Sequence, residues 1–174
     1  MLERKKGIDI VLEIGGIKTT EQAMEIFVKK MDPENIDKIR RIKNVEVLLK
    51  IANSIVMCEP DAVFINTGSE ADKEYIKNLS IEKGEEADLP MKDHTIHFDL
   101  KDEQGRIVDR TFYIANEGEK ISSLANKKLR TVAMQEIRNI MVGIMRGKIL
   151  IVGFYMRGPL GAPVSNPAIR SDSF

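Results

Sequence analysis

The stretch that decides the fold is KILIVGFYMRGPLGAPVSNPAIRSDS, residues 148–173. Residues 149–154 are nearly all apolar and rich in β-branched side chains, a pattern typical of a strand buried on both faces. Residues 157–163 then contain two glycines and two prolines, which exclude both a helix and a central strand. The sequence therefore predicts a buried strand that ends in a shaped loop, a position where α/β proteins commonly place a site.

Composition excludes several classes of protein. The 174 residues suffice for one domain with a real core. The 27 basic residues balance the 27 acidic ones, so there is no general basic field for nucleic acid or an anionic membrane surface. Cys58 is the only cysteine, which excludes an intrachain disulfide and favours a reducing compartment. We expect a soluble, cytoplasmic protein without a nucleic-acid or membrane partner.

The first third of the chain has the pattern of helices. Thr19 and Gln22 fit a capping box, and Asp32 followed by Pro33 fits an N-cap with proline at the first helical position. A further apolar run is expected to end before Pro60, because proline disfavours helical geometry in the residue that precedes it. The apolar residues at helical spacing in the first two helices are Ala23, Phe27, Met31, Ile36, Ile39 and Ile42.

Strand and helix signals alternate in the rest of the chain. Residues 62–65 indicate a short buried strand, and Ser69 is the expected N-cap of a helix that Gly84 ends. Residues 95–100 alternate in the manner of a half-buried strand. The residues expected on its apolar face are Ile96, Phe98 and Leu100.

A last helical pattern precedes the opening stretch and is expected to end at Gly147. The residues predicted to form its buried face are Ile137, Ile140, Met141, Ile144 and Met145. The predicted fold class is mixed α/β (α+β): a helical N-terminal third, then a mixed-sheet layer with a packed C-terminal helix and a buried strand. We expect residues 1–174 to form one domain, in which residues 1–57 are a mainly helical lead-in and residues 58–174 are the α/β part.

Two units of the chain resemble the GTP-dependent phosphoenolpyruvate carboxykinases. The first runs from Met145 and Gly147 through the apolar strand to GPLGAPVS at residues 158–165 and SDS at residues 171–173. It is similar to that family's Met-x-Gly segment, strand, Gly-Pro-x-Gly-Ser-Pro-x-Ser loop and Thr/Ser-Asp-Ser. The second unit is CEPD at residues 58–61, a strand, and GSE. It resembles the family's Cys-x-Pro-(Asp/Glu), strand and Asp-Gly-Ser-Glu-Glu.

This resemblance also suggests a substrate-binding residue. The segment RIVDRT, residues 106–111, is similar to the family's Ala-Arg-x-Glu-x-(Lys/Arg)-Thr, whose arginine binds the carboxylate of phosphoenolpyruvate or oxaloacetate. A guanidinium suits this task because its planar fork presents paired donors and stays charged at any working pH. Arg106 is therefore the candidate substrate-binding residue; the alternative is a solvated arginine in a turn. Arg110 matches only a basic position and is expected to be structural.

Other chemically suggestive residues have simpler interpretations. His94 and His97 would point to opposite faces of a strand, which disfavours a shared metal ion. Cys58 is expected to be a small buried hydrophobic residue rather than a nucleophile. Residues 158–163 lack the GxxxxGK[ST] spacing of a phosphate loop, so we interpret them as a structural or substrate-facing loop. The methionines at helical spacing, Met134, Met141 and Met145, are most simply core residues.

The resemblance implies the N-terminal part of a much longer enzyme, which converts oxaloacetate and GTP to phosphoenolpyruvate, GDP and carbon dioxide. Its manganese ion and Mg-GTP would be bound by the missing C-terminal part, and none by this chain. We therefore expect a truncated piece with a small-molecule substrate and no turnover of its own. The alternative is a stand-alone anion-binding or interaction module that has lost catalysis. A module would be expected to have no large exposed apolar patch, whereas a piece of the enzyme would expose one.

Overall fold

The computed structural model describes residues 16–98, 107–159, 161–163 and 166–173. Its helices are α1 (Thr20–Lys30), α2 (Pro33–Arg40), α3 (Val45–Cys58), α4 (Glu70–Glu82) and α5 (Arg130–Met141). Its strands are β1 (Ala62–Asn66), β2 (Ala87–Asp88), β3 (Thr95–Ile96), β4 (Tyr113–Ala115), β5 (Lys127–Leu129), β6 (Ile149–Arg157) and β7 (Asn166–Ser173). The predicted mixed α/β class, with its helical N-terminal third, is confirmed. Within these ranges no helix is long and apolar enough to cross a membrane.

The first helices begin at the predicted caps. The side-chain oxygen of Thr19 accepts a hydrogen bond from the backbone N–H of Gln22 at 3.3 Å, and Gln22 Oε1 accepts one from the N–H of Thr19 at 3.2 Å. Asp32 Oδ1 accepts from the N–H of Asn35 at 2.8 Å, with Pro33 as the first residue of α2. These bonds satisfy N–H groups that the start of a helix otherwise leaves unpaired.

The main sheet has the order β1-β6-β7. Strand β6 lies in the middle, parallel to β1 and antiparallel to β7. The register pairs Ala62 with Ile149 and Asn66 with Gly153, so residues 154–157 of β6 extend beyond the end of β1. A parallel pair needs a long crossover connection, and this one carries α4, α5 and two small sheets, β2-β3 and β4-β5.

The core lies on both faces of β1 and β6. Val63 and Ile65 point to the face covered by the first three helices, and Phe64 points to the face covered by α4. Both strands are therefore buried on two sides there, which confirms the strand predicted at residues 62–65 and its burial at residues 63–65; Ala62 is exposed. Residues buried in the larger cluster are Ala23, Phe27, Met31, Ile36, Ile39, Ile51, Ala52, Ile55, Val63, Ile65, Leu150 and Val152.

Helix α5 is present, but the predicted buried face is wrong for the three isoleucines, whereas Met145 does pack against the main core. Ile137, Ile140 and Ile144 are 40%, 65% and 51% exposed. The helix also ends earlier than Gly147, because the backbone turns extended at Val142. The turn that follows is bonded to the end of α3 instead of continuing the helix: the N–H groups of Gly143 and Met145 donate to the carbonyl oxygens of Met57 and Cys58, both at 2.9 Å.

In two of the predicted strands, fewer residues are buried than expected. Phe154, the last residue of the predicted buried run, is 42% exposed because β1 stops opposite Gly153 and leaves the next residues of β6 without that neighbour. Of the described residues 95–98 in the predicted strand at residues 95–100, Thr95–Ile96 are the paired ones, and Phe98 is 81% exposed. Leu100 lies outside the described residues.

Candidate functional site

Arg106, the predicted substrate-binding residue, lies outside the described residues. The chain that follows it is described from Ile107 and is held by side-chain hydrogen bonds. Thr111 Oγ1 donates to the carbonyl oxygen of Ile107 at 2.8 Å, and Asn126 Nδ2 donates to that of Val108 at 2.7 Å. A short 3-10 turn, Val108–Arg110, lies between these bonds. In the segment that follows Arg106, one hydrogen bond thus joins Ile107 to Thr111, and another joins the segment to Asn126.

Two short strands hold the chain that follows this segment. Strands β4 and β5 pair in parallel, and Tyr113 N–H donates to the carbonyl oxygen of Asn126 at 2.8 Å. Lys128 Nζ lies 2.6 Å from Glu136 Oε2 of α5 and 4.2 Å from the centre of the Phe112 ring. These contacts join β4, β5 and α5 into one unit. Arg110, expected to be structural, is exposed at the end of the 3-10 turn.

A second candidate region is the edge of the main sheet at which β1 ends and beyond which residues 154–157 of β6 continue. Because the two strands are parallel, their carboxyl ends lie at the same edge, which is where ligands commonly bind in such sheets. A turn follows β1 there: Gly68 adopts a φ of +81°, and its N–H donates to Asn66 Oδ1 at 2.8 Å. Ser69 then caps α4 by accepting from the N–H of Asp72 at 3.2 Å, which confirms the predicted cap.

A buried ion pair lies beneath this turn. Lys38 Nζ of α2 is 2.7 Å from Asp72 Oδ1 of α4, and the two side chains are only 10% and 4% exposed. Lys38 Nζ also lies 2.9 Å from Glu34 Oε1 and 4.5 Å from the centre of the Phe64 ring. Sequence reasoning missed this pair, because the two residues are 34 positions apart and nothing local to Lys38 indicates its partner.

Thr67 completes the shell around Asp72. Its backbone N–H and its hydroxyl donate to Asp72 Oδ2 at 2.8 Å and 2.6 Å. Thr67 stands where the resembling family usually has an aspartate, whose ionised side chain could accept hydrogen bonds but donate none. In this chain the Thr67 hydroxyl therefore donates a hydrogen bond to the buried carboxylate, which an ionised aspartate could not do.

The ionisation of the pair follows from these contacts. Burial by itself would raise the pKa of Asp72, but the hydrogen bonds from Lys38 and Thr67 outweigh it and lower the pKa to about 2. Burial would lower the pKa of Lys38, and the bonds to Asp72 and Glu34 outweigh that effect and raise it. Both groups are charged at neutral pH, and both are engaged. The pair can hold the turn at residues 67–69 in place; it does not offer a free cation to a substrate.

The loop after β6 lies beyond the same edge of the sheet. Gly158 and Gly161 adopt φ values of +103° and +79°, which only glycine accepts easily. Ala162 N–H donates to the carbonyl oxygen of Pro159 at 3.2 Å. The glycines and prolines that predicted a shaped loop therefore produce one, and its described residues lie at the surface.

The two histidines contact nearby backbone carbonyl groups, and the cysteine is buried. The Nδ1 atoms of His94 and His97 lie 2.8 Å from the carbonyl oxygens of Lys92 and Glu85. Cys58 is buried, as predicted, and burial raises the pKa of its thiol, which disfavours the nucleophilic thiolate. In the part of the chain that the structure describes, no group of three or more His, Cys, Asp or Glu residues could hold a metal ion.

Comparison with known proteins defines the class to which this fold and these motifs belong. The family described as "Phosphoenolpyruvate carboxykinase N-terminal domain" matches residues 50–173, which include β1, β6 and the turn over the ion pair. The chain therefore belongs to the phosphoenolpyruvate carboxykinase family, and the resemblance predicted from its motifs is confirmed.

Individual relatives agree with this assignment. The phosphoenolpyruvate carboxykinase (GTP) of Thermococcus sibiricus is 38% identical over 142 residues, which are 82% of this chain and 23% of that protein. The protein of the same name from Saccharolobus solfataricus is 38% identical over 155 residues, 88% of this chain and 24% of that protein. The one from Pyrococcus furiosus is 34% identical over 149 residues. The chain thus spans about a quarter of the length of these relatives.

Proposed function

We propose that this chain is the N-terminal, substrate-binding part of a GTP-dependent phosphoenolpyruvate carboxykinase. That enzyme converts oxaloacetate and GTP to phosphoenolpyruvate, GDP and carbon dioxide in gluconeogenesis, in the cytoplasm. The observation that carries the proposal is the family match over residues 50–173. The names of the relatives, which specify GTP, support the choice of nucleotide. Residues 1–174 would act as one substrate-binding domain.

Arg106 has the central role in this proposal. Its guanidinium would bind the carboxylate of oxaloacetate or phosphoenolpyruvate through two parallel hydrogen bonds and so fix the orientation of the substrate. The bonds from Asn126 and Thr111 to the segment that follows Arg106 support this role, because a binding group needs a held backbone to have a defined position.

The manganese ion and Mg-GTP belong, in this proposal, to the polypeptide that the relatives carry outside the matched region. The described residues do not fit a metal: they include no suitable group of ligands, and each histidine has a ring nitrogen against a backbone carbonyl oxygen. We therefore derive no metal-dependent step from this chain. Its own contribution is to bind the carboxylate and to supply one edge of the substrate cleft.

The exposed apolar residues at the end of β6 favour a part of a larger enzyme over a stand-alone module. Tyr155 and Met156, at the end of β6, are exposed together with Phe154. An independent soluble module rarely leaves such a group of large apolar side chains in water. The same exposure is expected where another part of an enzyme would cover the sheet edge.

Titration of the purified chain with phosphoenolpyruvate, followed by calorimetry, tests the proposal. We expect Arg106→Ala to weaken binding by at least about tenfold, because it removes the charged partner of the carboxylate. Arg106→Lys should recover only part of the affinity, since an ammonium lacks the planar fork. Arg110→Ala is the matched control and should bind like the unchanged chain.

Two results would contradict the proposal. The first is phosphoenolpyruvate binding that is absent or that does not depend on Arg106. The second concerns catalysis: we expect no turnover by the chain alone, so GTP-dependent decarboxylation of oxaloacetate by the purified chain would contradict its assignment as a substrate-binding part only.

A further inference from the structure

Helix α5 has two arginines among the residues that it does not expose to solvent. Strand β5 ends at Leu129, and α5 begins at the next residue. The isoleucines of α5, Ile137 and Ile140, are exposed instead. The residues of α5 that are buried or partly buried are Arg130, Ala133, Met134, Arg138 and Met141. Apolar side chains normally occupy such positions, so the arginines need a separate explanation.

The guanidinium group of Arg130 has buried donors without an acceptor. Its Nε and Nη1 atoms are buried, and neither has a hydrogen-bond partner among the described residues. Together the two atoms carry three N–H groups. Burying a polar group without a partner costs free energy, and burying a charge without one costs more. A native protein rarely keeps such a group unless something completes its hydrogen bonds.

The acidic residue of α5 is engaged elsewhere. Glu136 is the only acidic residue in the sequence of α5, and its carboxylate lies 2.6 Å from Lys128 Nζ. Against this single acid, residues 127–141 contain four basic residues, which are Lys127, Lys128, Arg130 and Arg138. The chain as a whole has no net charge, so this positive excess is local. Such an excess attracts an anion from solvent.

The start of α5 favours the same kind of ligand. The cap residue Leu129 forms no side-chain hydrogen bond, and the first turn contains no acidic residue. The first N–H groups of a helix carry a partial positive charge, which a capping oxygen or an acid would otherwise compensate. Arg130 is the first residue of α5, so its charge adds to that of the helix end.

We infer that Arg130, at the start of α5, binds a phosphate group. Phosphate oxygens accept several charge-assisted hydrogen bonds, and arginine is well suited to donate them. Arg130 is only partly buried, so the ligand can enter from solvent. This inference goes beyond the proposed function, which assigns ligand binding to Arg106 alone. The group can belong to free phosphate or, on the proposed function, to phosphoenolpyruvate, and the experiment separates these sources.

Urea unfolding of the purified chain in increasing inorganic phosphate tests the site. Sodium chloride keeps the ionic strength constant, because salt alone screens charges and can change stability. We expect phosphate to raise the unfolding midpoint of the unchanged chain, since a ligand that binds only the folded state stabilises it. Arg130→Met should raise the phosphate concentration that gives half of this effect by at least about tenfold, because it removes the charged donors.

Without phosphate, the same variant should behave in the opposite way. Arg130→Met removes a buried charge that has no partner, so its urea midpoint should equal or exceed that of the unchanged chain. An arginine that only stabilised the fold would give a lower midpoint when replaced. The matched control is Arg41→Met: Arg41 is exposed at the end of α2, and its replacement should leave the phosphate response unchanged.

The variant Arg106→Ala identifies the source of the phosphate group. It removes the proposed carboxylate contact and should keep the full response to inorganic phosphate. We expect phosphoenolpyruvate to shift the midpoint of this variant equally, which would show that a phosphate group suffices. Pyruvate, which has the carboxylate without the phosphate, should have no effect on it. A shift by phosphoenolpyruvate alone would assign the bound group to the proposed substrate.

Three results would overturn the inference. The first is no effect of either phosphate compound on Arg106→Ala, and the second is an equal phosphate response in Arg130→Met and Arg41→Met. The third is a lower midpoint, or a loss of folding, in Arg130→Met without phosphate. A phosphate response that needs Arg106 and not Arg130 would leave the proposed function intact. Phosphoenolpyruvate binding that does not depend on Arg106 would contradict the proposed function alone.

Discussion

Lys38 Nζ lies 2.7 Å from Asp72 Oδ1, and this buried contact joins α2 to α4 across the end of β1. The two residues are 34 positions apart in the sequence. Through Asp72 the pair also holds Thr67, and hence the turn at the edge of the sheet where β1 ends. The position of that edge therefore depends on one lysine from the helical N-terminal third.

Removing Lys38 should destabilise the fold strongly. Lys38→Met keeps most of the side-chain length but leaves the Asp72 carboxylate buried without its charged partner, and we expect a loss of ~3 kcal/mol in the free energy of unfolding. Urea unfolding measures it. Lys73→Met is the control, because Lys73 and its partner Glu70 are largely exposed and should contribute less than about 0.5 kcal/mol. Equal losses in the two variants would contradict this role for Lys38.

The stability of the fold should fall in acid through Asp72. Its pKa is lowered from 3.8 to about 2 in the folded chain. The unfolded chain therefore binds a proton more readily, and the stabilisation is present above about pH 4 and lost as the pH falls through about 2. The contribution is on the order of 2 kcal/mol. Urea midpoints at several acidic pH values should show it in the unchanged chain and not in Asp72→Asn.

An aspartate at position 67 should be unfavourable in this chain. Thr67→Asp would replace the hydroxyl that donates to Asp72 Oδ2 by a second carboxylate, raise the pKa of Asp72 and cost about 1–3 kcal/mol of stability. Thr67→Ser retains the donor and should cost less than about 1 kcal/mol. Thermal or urea unfolding measures both. An unchanged or higher stability of Thr67→Asp would show that the hydroxyl contact is dispensable.

The stability of β1 should depend on the buried side-chain amide of Asn35. Asn35 Oδ1 accepts the backbone N–H of Ile65 at 2.7 Å, so a side chain of α2 satisfies a donor of the strand. Asn35→Ala should cost about 1–3 kcal/mol, because that N–H would be left buried and unpaired. Hydrogen exchange at the Ile65 amide should also accelerate. Asn139→Ala, on the exposed surface of α5, is the control for both measurements.

Local signals account for the parts of the fold that were predicted correctly. The capping residues Thr19, Asp32 and Ser69 each form a bond within three residues of themselves, and such bonds depend little on the rest of the molecule. The apolar runs at β1 and at the start of β6 are buried because helices cover both faces of the sheet there. The exposure of Ile137 and Ile140 was not predicted, because helical spacing shows that apolar residues share a face and does not show what that face packs against.

The sequence by itself determined the caps at which α1, α2 and α4 begin, the mixed α/β class and the family, because these depend on patterns that act over a few residues or along continuous motifs. Arg106 entered the candidate site through such a motif and remains a prediction. Only the tertiary structure decided that Lys38 meets Asp72, that Asn35 meets Ile65 and that Ile137 and Ile140 of α5 are exposed. Partners so far apart in the chain are chosen by how the helices pack on the sheet, and the burial of each polar group is favourable only once its partner is in place.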